Sequence, residues 1–298
     1  MTGTTGADHG EPRAVTTIEE VRAAVAHARR AGRKIGFVPT MGALHEGHVS
    51  LMHAAKKAGT YVVVSIYVNP TQFGPKEDFK QYPRTMEMDR AACAKASVDL
   101  IFAPTDAEVY PPGHQTRVQP GKLSETLCGA CRPGHFEGVC TIVAKLCNVV
   151  QPDVAYFGRK DAQQAVIIRR MVKDLCMPMR IEICPLIREP DGLAMSSRNV
   201  RLSPEEQPQA LSLYRALCLG RDRLSAGERS VGRITAEMRS SIVQNGAGVS
   251  VDYLSIVDPE TLEPVTESNG RVMIAGAIHV GATRLIDNIL VDAPRDQP

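Results

Sequence analysis

The chain has 298 residues, 43% of them hydrophobic, which is enough for one large or two ordinary domains with buried cores. Its 35 Lys and Arg residues nearly balance its 33 Asp and Glu residues, so the net charge of +2 provides no general attraction to nucleic acid or to an anionic membrane. The longest apolar runs, 61–68 and 272–280, are far shorter than the roughly 18 residues that a membrane-spanning helix needs. The composition therefore favours an enzyme or a binding protein for small molecules.

The cysteines and the first residues bear on the compartment. Eight cysteines are spread through the chain without the spacing of a small disulfide-linked domain, which fits reduced thiols in the cytoplasm. Cys128 and Cys131 form one close pair, but zinc would need a second matched pair at the usual spacing, and the sequence has none. Residues 1–12 lack the basic and apolar regions of a secretory signal, so we expect a flexible leader over residues 1–14.

Predicted helices and buried strands then alternate along the chain. Thr17 and Glu20 form a capping box for a helix that ends at Gly32, and the apolar run 35–38 predicts the next strand. The elements that follow are helix 48–58, strand 62–68, helix 86–96, strand 99–103, helix 139–150, strand 154–157, helix 162–175 and strand 180–184. This alternation predicts right-handed crossovers and a mostly parallel sheet that is covered on both faces.

The pattern changes after residue 186. Two predicted helices, 204–224 and 229–245, precede three closely spaced strands at 249–257, 271–279 and 285–291. The predicted fold class is therefore α/β, a Rossmann-like doubly wound parallel sheet over residues 15–186, with a second, smaller α+β domain over residues 187–298.

A turn rich in glycine and histidine, residues 39–48 (PTMGALHEGH), follows the first buried strand, and we call it the histidine turn. A strand that leads through such a turn into a helix is typical of phosphate binding, because backbone N–H groups and the positive helix end face one pocket. His45 and His48 add side-chain donors. A pair of surface histidines on a tight turn is the competing interpretation. The two commonest nucleotide loops, GxGxxG and GxxxxGK(S/T), do not occur in the sequence.

Two further segments carry groups suited to phosphate. The lysine turn, residues 158–161 (GRKD), comes where strand 154–157 ends and a helix begins, at the carboxyl edge of the same sheet. The serine loop, residues 195–198 (MSSR), supplies two hydroxyls and a guanidinium at the domain junction. Each segment alone is better explained as solvated surface charge. The three together predict an ATP-handling α/β enzyme.

At this point the residues resemble the pantothenate synthetase family, within the nucleotidylyltransferase superfamily that carries a HIGH-type turn. Residues 45–48 (HEGH) are similar to that turn, and residues 195–198 are similar to the mobile KMSKS loop. The other segments that carry the resemblance are 67–74 (YVNPTQFG), 82–85 (YPRT), 132–136 (RPGHF), 160–164 (KDAQQ) and 283–288 (TRLIDN). The resemblance extends from about residue 15 to residue 288.

The resemblance implies a ligase that joins pantoate to β-alanine with ATP through a pantoyl adenylate, releasing AMP and pyrophosphate on the route to coenzyme A. It implies Mg²⁺ as cofactor, a cytoplasmic homodimer, and neither nucleic acid nor a membrane as partner. The first domain would bind nucleotide and pantoate, and the second would act as a lid that moves about a hinge at residues 186–191.

The resemblance also implies roles for individual residues. The catalytic residues, which would contact the phosphates, are His45, His48, Lys160, Ser196, Ser197 and Arg198. The ATP-binding residues are Met41, Gly42, Ala43, Leu44, His45, Glu46, Gly47, His48, Gly158, Arg159, Lys160, Asp161, Ile187, Met195, Ser196, Ser197 and Arg198. The residues that would bind pantoate or β-alanine are Pro39, Met41, Asn69, Gln72 and Gln164. Asp89 is the candidate metal ligand, although Met88 beside it occupies a position that is often acidic in the family.

Two other functions fit parts of the pattern. An adenylyltransferase of the same superfamily that acts on a phosphorylated acceptor would need further cationic residues in place of Gln72 and Gln164. A non-catalytic nucleotide-binding regulator would bind ATP without any substrate-dependent exchange.

Overall fold

The computed structural model describes residues 11–75, 77–246 and 248–294, so most of the predicted leader, residues 1–10, lies outside the described residues. The described part of the first domain contains a six-stranded sheet whose strand pairs are all parallel, in the spatial order β1-β4-β3-β2-β5-β6. The strands are β1 (Arg13–Val15), β2 (Ile35–Thr40), β3 (Tyr61–Ile66), β4 (Leu100–Phe102), β5 (Val154–Gly158) and β6 (Arg180–Cys184).

Helices cover both faces of this sheet. They are α1 (Ile18–Arg30), α2 (Glu46–Lys57), α3 (Met86–Lys95), α4 (Asp106–Val109), α5 (Cys128–Cys131), α6 (His135–Val150) and α7 (Ala162–Asp174). Successive strand residues point to opposite faces: Phe37 packs in the core with α1 and α6, whereas Val38 packs in the core with α2. The predicted doubly wound sheet is confirmed.

The N-terminal edge of the sheet differs in part from the prediction. The predicted capping box is present, with the Thr17 hydroxyl accepting from the Glu20 N–H and the Glu20 carboxylate accepting from the Thr17 N–H. Arg13 and Ala14, which the sequence assigned to the leader, belong to β1 and pair with Leu100 and Ile101. Only Val15 of the three β1 residues is buried, so the strand has no hydrophobic period that a sequence could reveal.

The second domain has its own hydrophobic core. Helices α8 (Gln207–Ser225) and α9 (Val231–Asn245) pack on an antiparallel sheet of β7 (Val249–Val257), β8 (Arg271–Val280) and β9 (Thr283–Asp292). The predicted α+β composition is therefore confirmed. Within the described residues, none of the helices combines the length and hydrophobicity needed to cross a bilayer.

Candidate active site

The strand order creates a crevice between β2 and β5. From β2 the chain proceeds outward through β3 and β4, and from β5 it proceeds outward in the other direction to β6. Ligands in open α/β sheets bind at such a switch point, outside the carboxyl ends of the strands. The histidine turn follows β2 and the lysine turn follows β5, so the topology brings two of the three predicted phosphate-binding segments to this crevice.

A buried aspartate organises the histidine turn. Asp89 is 1% exposed, and its carboxylate accepts hydrogen bonds from the N–H groups of Ala43 and Leu44 at 3.1 and 2.8 Å and from the Thr85 hydroxyl at 3.2 Å. Gly42 lies at φ +80°, and a Cβ there would meet the Asp89 carboxylate at 2.9 Å. Both carboxylate oxygens of Asp89 therefore accept hydrogen bonds from other groups of the protein. Asp89 thus supports the backbone of the histidine turn, and its role as a metal ligand stays a prediction.

His45 and His48 lie side by side at the start of α2, with ring centroids 4.1 Å apart. Nδ1 of His45 accepts from the Gly47 N–H at 3.1 Å, and Nδ1 of His48 accepts from the His45 N–H at 3.3 Å. An accepting Nδ1 leaves the proton of each neutral ring on Nε2. Both rings thus carry one N–H donor that the turn itself does not use.

The two rings are held neutral. Burial, then the charge of Lys160, lowers the pKa of His45 to about 4. Burial, then the neighbouring His45, lowers the pKa of His48 to about 3. These interactions also show that the histidine turn and the lysine turn lie within electrostatic range of each other. The Lys160 side chain is only 20% exposed, with its Nζ 3.7 Å from the Asp161 carboxylate.

The serine loop approaches the same place from the domain junction. A Cβ on Gly47 would lie 4.0 Å from Cβ of Met195, and the Ser197 hydroxyl is 3.2 Å from the hydroxyl of Tyr82. The Arg198 guanidinium, however, makes two 3.0 Å hydrogen bonds to the carboxylate of Asp78. Burial alone would lower the pKa of Arg198, but this paired carboxylate raises it.

The other predicted ATP- and acid-binding residues flank these segments. Pro39 lies near the end of β2, and Gly158 ends β5. The Ile187 carbonyl accepts from the Met195 N–H at 3.1 Å, which connects the predicted hinge segment, residues 186–191, to the serine loop. Glu46 is exposed at the first position of α2.

A cluster of amides lies beyond the carboxyl end of β3. The Asn69 amide donates to the Gln72 side-chain oxygen at 3.1 Å and to the Gly138 carbonyl at 3.2 Å, and the Gln72 amide lies 3.2 Å from the Met41 sulfur. A Cβ on Gly138 would meet the Thr71 carbonyl oxygen at 2.4 Å, so α6 packs directly against this turn. The structure therefore brings three of the predicted acid-binding residues together.

The adjacent glutamines of α7 have different surroundings. Gln163 is buried and bonds to the Cys128 N–H and to the carbonyls of Leu123 and Thr126, so it is structural. Gln164 lines the cleft between the domains.

Three residues that the sequence analysis did not assign support Gln72. Glu77 holds Arg132 through two 2.6 Å bonds, and Arg132 bonds to Nε2 of His135 at 3.0 Å. A guanidinium can only donate, so Nδ1 of His135 carries the proton and donates to the Gln72 carbonyl at 2.8 Å. Burial, then the charge of Arg132, lowers the pKa of His135 to about 4. Arg132 and His135 belong to a segment of the family resemblance, which was the available signal.

A cleft of about 1010 Å³ separates the two domains. Among the predicted site residues, its walls include Lys160, Asp161, Gln164, Ser196 and Arg198. The histidine turn and the cluster of Met41, Asn69 and Gln72 are not among the described residues that line the cleft. They adjoin residues that do: His135 donates to the Gln72 carbonyl, and the charge of Lys160 contributes to the lowered pKa of His45.

The described residues contain no group of three or more His, Cys, Asp or Glu side chains placed to hold a metal ion. A Mg²⁺ ion held mainly by phosphate oxygens would need few protein ligands.

Comparisons with known proteins identify the family of this chain. The family model described as pantoate-beta-alanine ligase matches residues 13–290. The pantothenate synthetase of Moorella thermoacetica is 54% identical over 276 residues, which cover 93% of this chain and 97% of that protein.

Two crystal structures are also similar. That of the pantothenate synthetase from Thermus thermophilus has a TM-score of 0.86 at 47% identity, covering 93% of this chain and 98% of that one. That of a pantoate-beta-alanine ligase from Francisella tularensis, complexed with beta-gamma ATP and beta-alanine, has a TM-score of 0.78 at 35% identity, covering 94% and 97%. The chain belongs to the pantoate-beta-alanine ligase family.

Proposed function

We propose that the crevice between β2 and β5 and the adjoining cleft form the site where this ligase joins pantoate to β-alanine. As a member of the family, the chain uses ATP, forms a pantoyl adenylate and releases AMP and pyrophosphate. The observation that carries the site assignment is the position of the histidine turn and the lysine turn directly after the paired strands β2 and β5, at the switch point of the sheet. The Francisella tularensis relative holds an ATP compound and β-alanine, which supports the same use of this site.

The first step is adenylation. A carboxylate oxygen of pantoate attacks the α-phosphorus of ATP, an O–P bond forms, and the bond to pyrophosphate breaks. Negative charge grows on the phosphoryl oxygens, and the free Nε2–H donors of His45 and His48 stabilise it together with the ammonium of Lys160. Because these groups are already placed, each donor lowers the barrier by about 3 kcal/mol. Ser196, Ser197 and Arg198 would grip the β- and γ-phosphates.

The amide cluster would hold the acid. Gln72 and Gln164 would bond to the hydroxyl and carboxylate of pantoate, beside Asn69, with Met41 as an apolar wall and Pro39 at the strand end. An acid that leaves one of these amides unmatched loses about 1–3 kcal/mol, which provides discrimination.

The second step is amide formation. The neutral amine of β-alanine attacks the carbonyl carbon of the adenylate, AMP leaves with the electron pair of the broken C–O bond, and the amine loses a proton. Water would destroy the adenylate, so we propose that residues 187–298 close over residues 15–186 as a lid that moves about residues 186–191. Scattering curves of the free and ATP-bound protein that superimpose within error would exclude such a closure.

The remaining properties are part of the same proposal. Mg²⁺ would enter already bound to the triphosphate, since the metal favours phosphate oxygens and few protein ligands. The chain would work in the cytoplasm, where its eight free cysteines stay reduced. It would form a homodimer, which sedimentation velocity would detect as a species of twice the mass of the chain.

Isotope exchange between pyrophosphate and ATP tests the function. With Mg²⁺ present, we expect exchange that requires pantoate and needs no β-alanine. Exchange that requires a phosphorylated acceptor would indicate another adenylyltransferase. ATP binding without any exchange, in a folded protein, would indicate a regulator.

A further inference from the structure

Asn288 connects the second domain to the lysine turn. It lies on β9, and its side-chain N–H₂ group donates to two consecutive carbonyls, those of Arg159 at 2.9 Å and Lys160 at 3.0 Å. Two acceptors on one nitrogen fix the orientation of the amide, because the amide oxygen could bond to neither carbonyl. One side chain of the second domain thus sets the backbone from which the Lys160 side chain extends.

The amide oxygen of Asn288 makes no hydrogen bond to any of the residues that the structure describes. Asn288 is 5% exposed, and its Oδ1 is buried without a hydrogen-bond partner there. Burying an unpartnered acceptor is unfavourable, so an apolar residue would suit this position better if stability alone decided it. Asn288 also lines the cleft. Its surroundings therefore indicate a role in the site.

The neighbouring Asp287 supports this view. It is 5% exposed and accepts two bonds from the Arg188 guanidinium at 2.7 and 3.0 Å, and it accepts from the Asn288 N–H at 2.7 Å. Arg188 lies in the proposed hinge segment. The hinge, β9 and the lysine turn are therefore joined by one continuous set of hydrogen bonds.

We propose that Asn288 is a positioning residue for adenylation, which holds the lysine turn from the second domain so that the Lys160 ammonium points at the triphosphate. The proposal rests on the proposed function, in which Lys160 binds the phosphates. Lys160 then acts only while the two domains are docked. Adenylation then depends on the contact between Asn288 and the lysine turn, whereas amide formation does not depend on this contact, because pyrophosphate has left before the second step.

This difference between the two steps provides the test. We expect Asn288→Ala to slow pantoate-dependent exchange between pyrophosphate and ATP about tenfold in its maximal rate. The same variant, given pre-formed pantoyl adenylate and β-alanine, is expected to make the amide at the wild-type rate in a single turnover. The control is Arg169→Ala, which removes a different contact between the domains, the 2.6 Å ion pair with Glu260 on the surface. It is expected to change neither rate.

A double-mutant cycle completes the experiment. If Asn288 acts through Lys160, Lys160→Ala and the double variant with Asn288→Ala will have the same exchange rate. Asn288→Ser keeps one hydroxyl donor and is expected to show an intermediate rate, which keeps the test usable if the alanine variant unfolds.

Three results would overturn the proposal: an unchanged exchange rate in both Asn288 variants, equal slowing of both half-reactions, or fully multiplicative effects of Asn288→Ala and Lys160→Ala. Absence of pantoate-dependent exchange in the wild-type protein would instead overturn the proposed function.

Discussion

The histidine turn and the serine loop are both proposed to bind the triphosphate, but the protein prepares them differently. The histidine turn is held by a buried carboxylate and by its own backbone, and its two free Nε2–H groups need no rearrangement before they donate. The serine loop holds its cation against an acidic partner: Asp78 bonds to Arg198 and also to Arg201, at 2.7 Å.

The two segments differ in when the free-energy cost of arranging their donors arises. The histidine turn is ordered during folding, so its donors need no further ordering to stabilise the transition state. In the proposed function, Arg198 would exchange one anion for another when ATP binds, which would lower the net gain in affinity. The first segment is therefore expected to control rate, and the second to control ATP affinity.

The largest expected effect comes from removing a prepared donor. His48→Ala is expected to lower the rate of pantoate-dependent exchange about 100- to 1000-fold, with a much smaller change in the Kd for ATP. His53→Ala, on the exposed side of the same helix, is the matched control and should leave the rate unchanged. A loss of ATP affinity equal to the loss of rate would contradict the distinction between the two segments.

Acid is expected to lower the stability of the folded protein through three buried histidines, two of them in the histidine turn. The pKa values of His45, His48 and His135 are lowered in the folded protein to about 4, 3 and 4, whereas the unfolded rings titrate near 6.5. The unfolded state therefore binds more protons as the pH falls below about 6.5, and stability is lost from there down through the folded pKa values. We expect the free energy of unfolding to drop by about 4 kcal/mol between pH 7.5 and 5.5, with similar shares from the three rings. Urea titration at the two pH values measures the drop. His135→Gln should make the drop in the free energy of unfolding smaller. An unchanged drop in this variant would contradict the contribution of the His135 ring.

The next effect tests the support of the histidine turn. Asp89→Ala leaves the buried N–H groups of Ala43 and Leu44 without acceptors, and we expect the free energy of unfolding to fall by about 3 kcal/mol. Urea titration at neutral pH measures this change, with Glu87→Ala on the exposed face of α3 as control. Equal stability of the two variants would show that the turn does not depend on Asp89. An increase in the Mg²⁺ requirement of Asp89→Asn without any loss of stability would support the prediction that Asp89 is a metal ligand.

The smallest effect concerns the serine loop. Asp78→Asn removes the anion that competes for Arg198, so we expect the Kd for ATP to fall roughly fivefold, or about 1 kcal/mol. Calorimetry measures the affinity, and the exposed Glu205→Gln serves as an acid-to-amide control. Weaker ATP binding in Asp78→Asn would mean that Asp78 positions Arg198 and does not compete for it.

The sequence was sufficient for the features that depend on local pattern. Strands β2 to β6 and the longer helices of the first domain follow from apolar runs and turns, and the parallel order predicts that the segments after β2 and β5 share one edge. Strand β1 and the short helices α4 and α5 have no such pattern. The partners of Asp89 could not be predicted, because they lie 45 and 46 residues earlier in the chain and are backbone N–H groups without a residue signature. The Arg198 and Asp78 pair spans 120 residues, and no periodicity connects them.

The close approach of Gly138 to the turn at Thr71 and Gln72 has a consequence for redesign. The backbone of α6 packs directly against the backbone of the turn, with no side chain between them. The distance between the two backbones therefore cannot be changed by substituting a side chain there. Attempts to broaden the range of accepted acids should therefore alter the Met41 side chain opposite Gln72, because enlarging position 138 would push the whole amide cluster out of register.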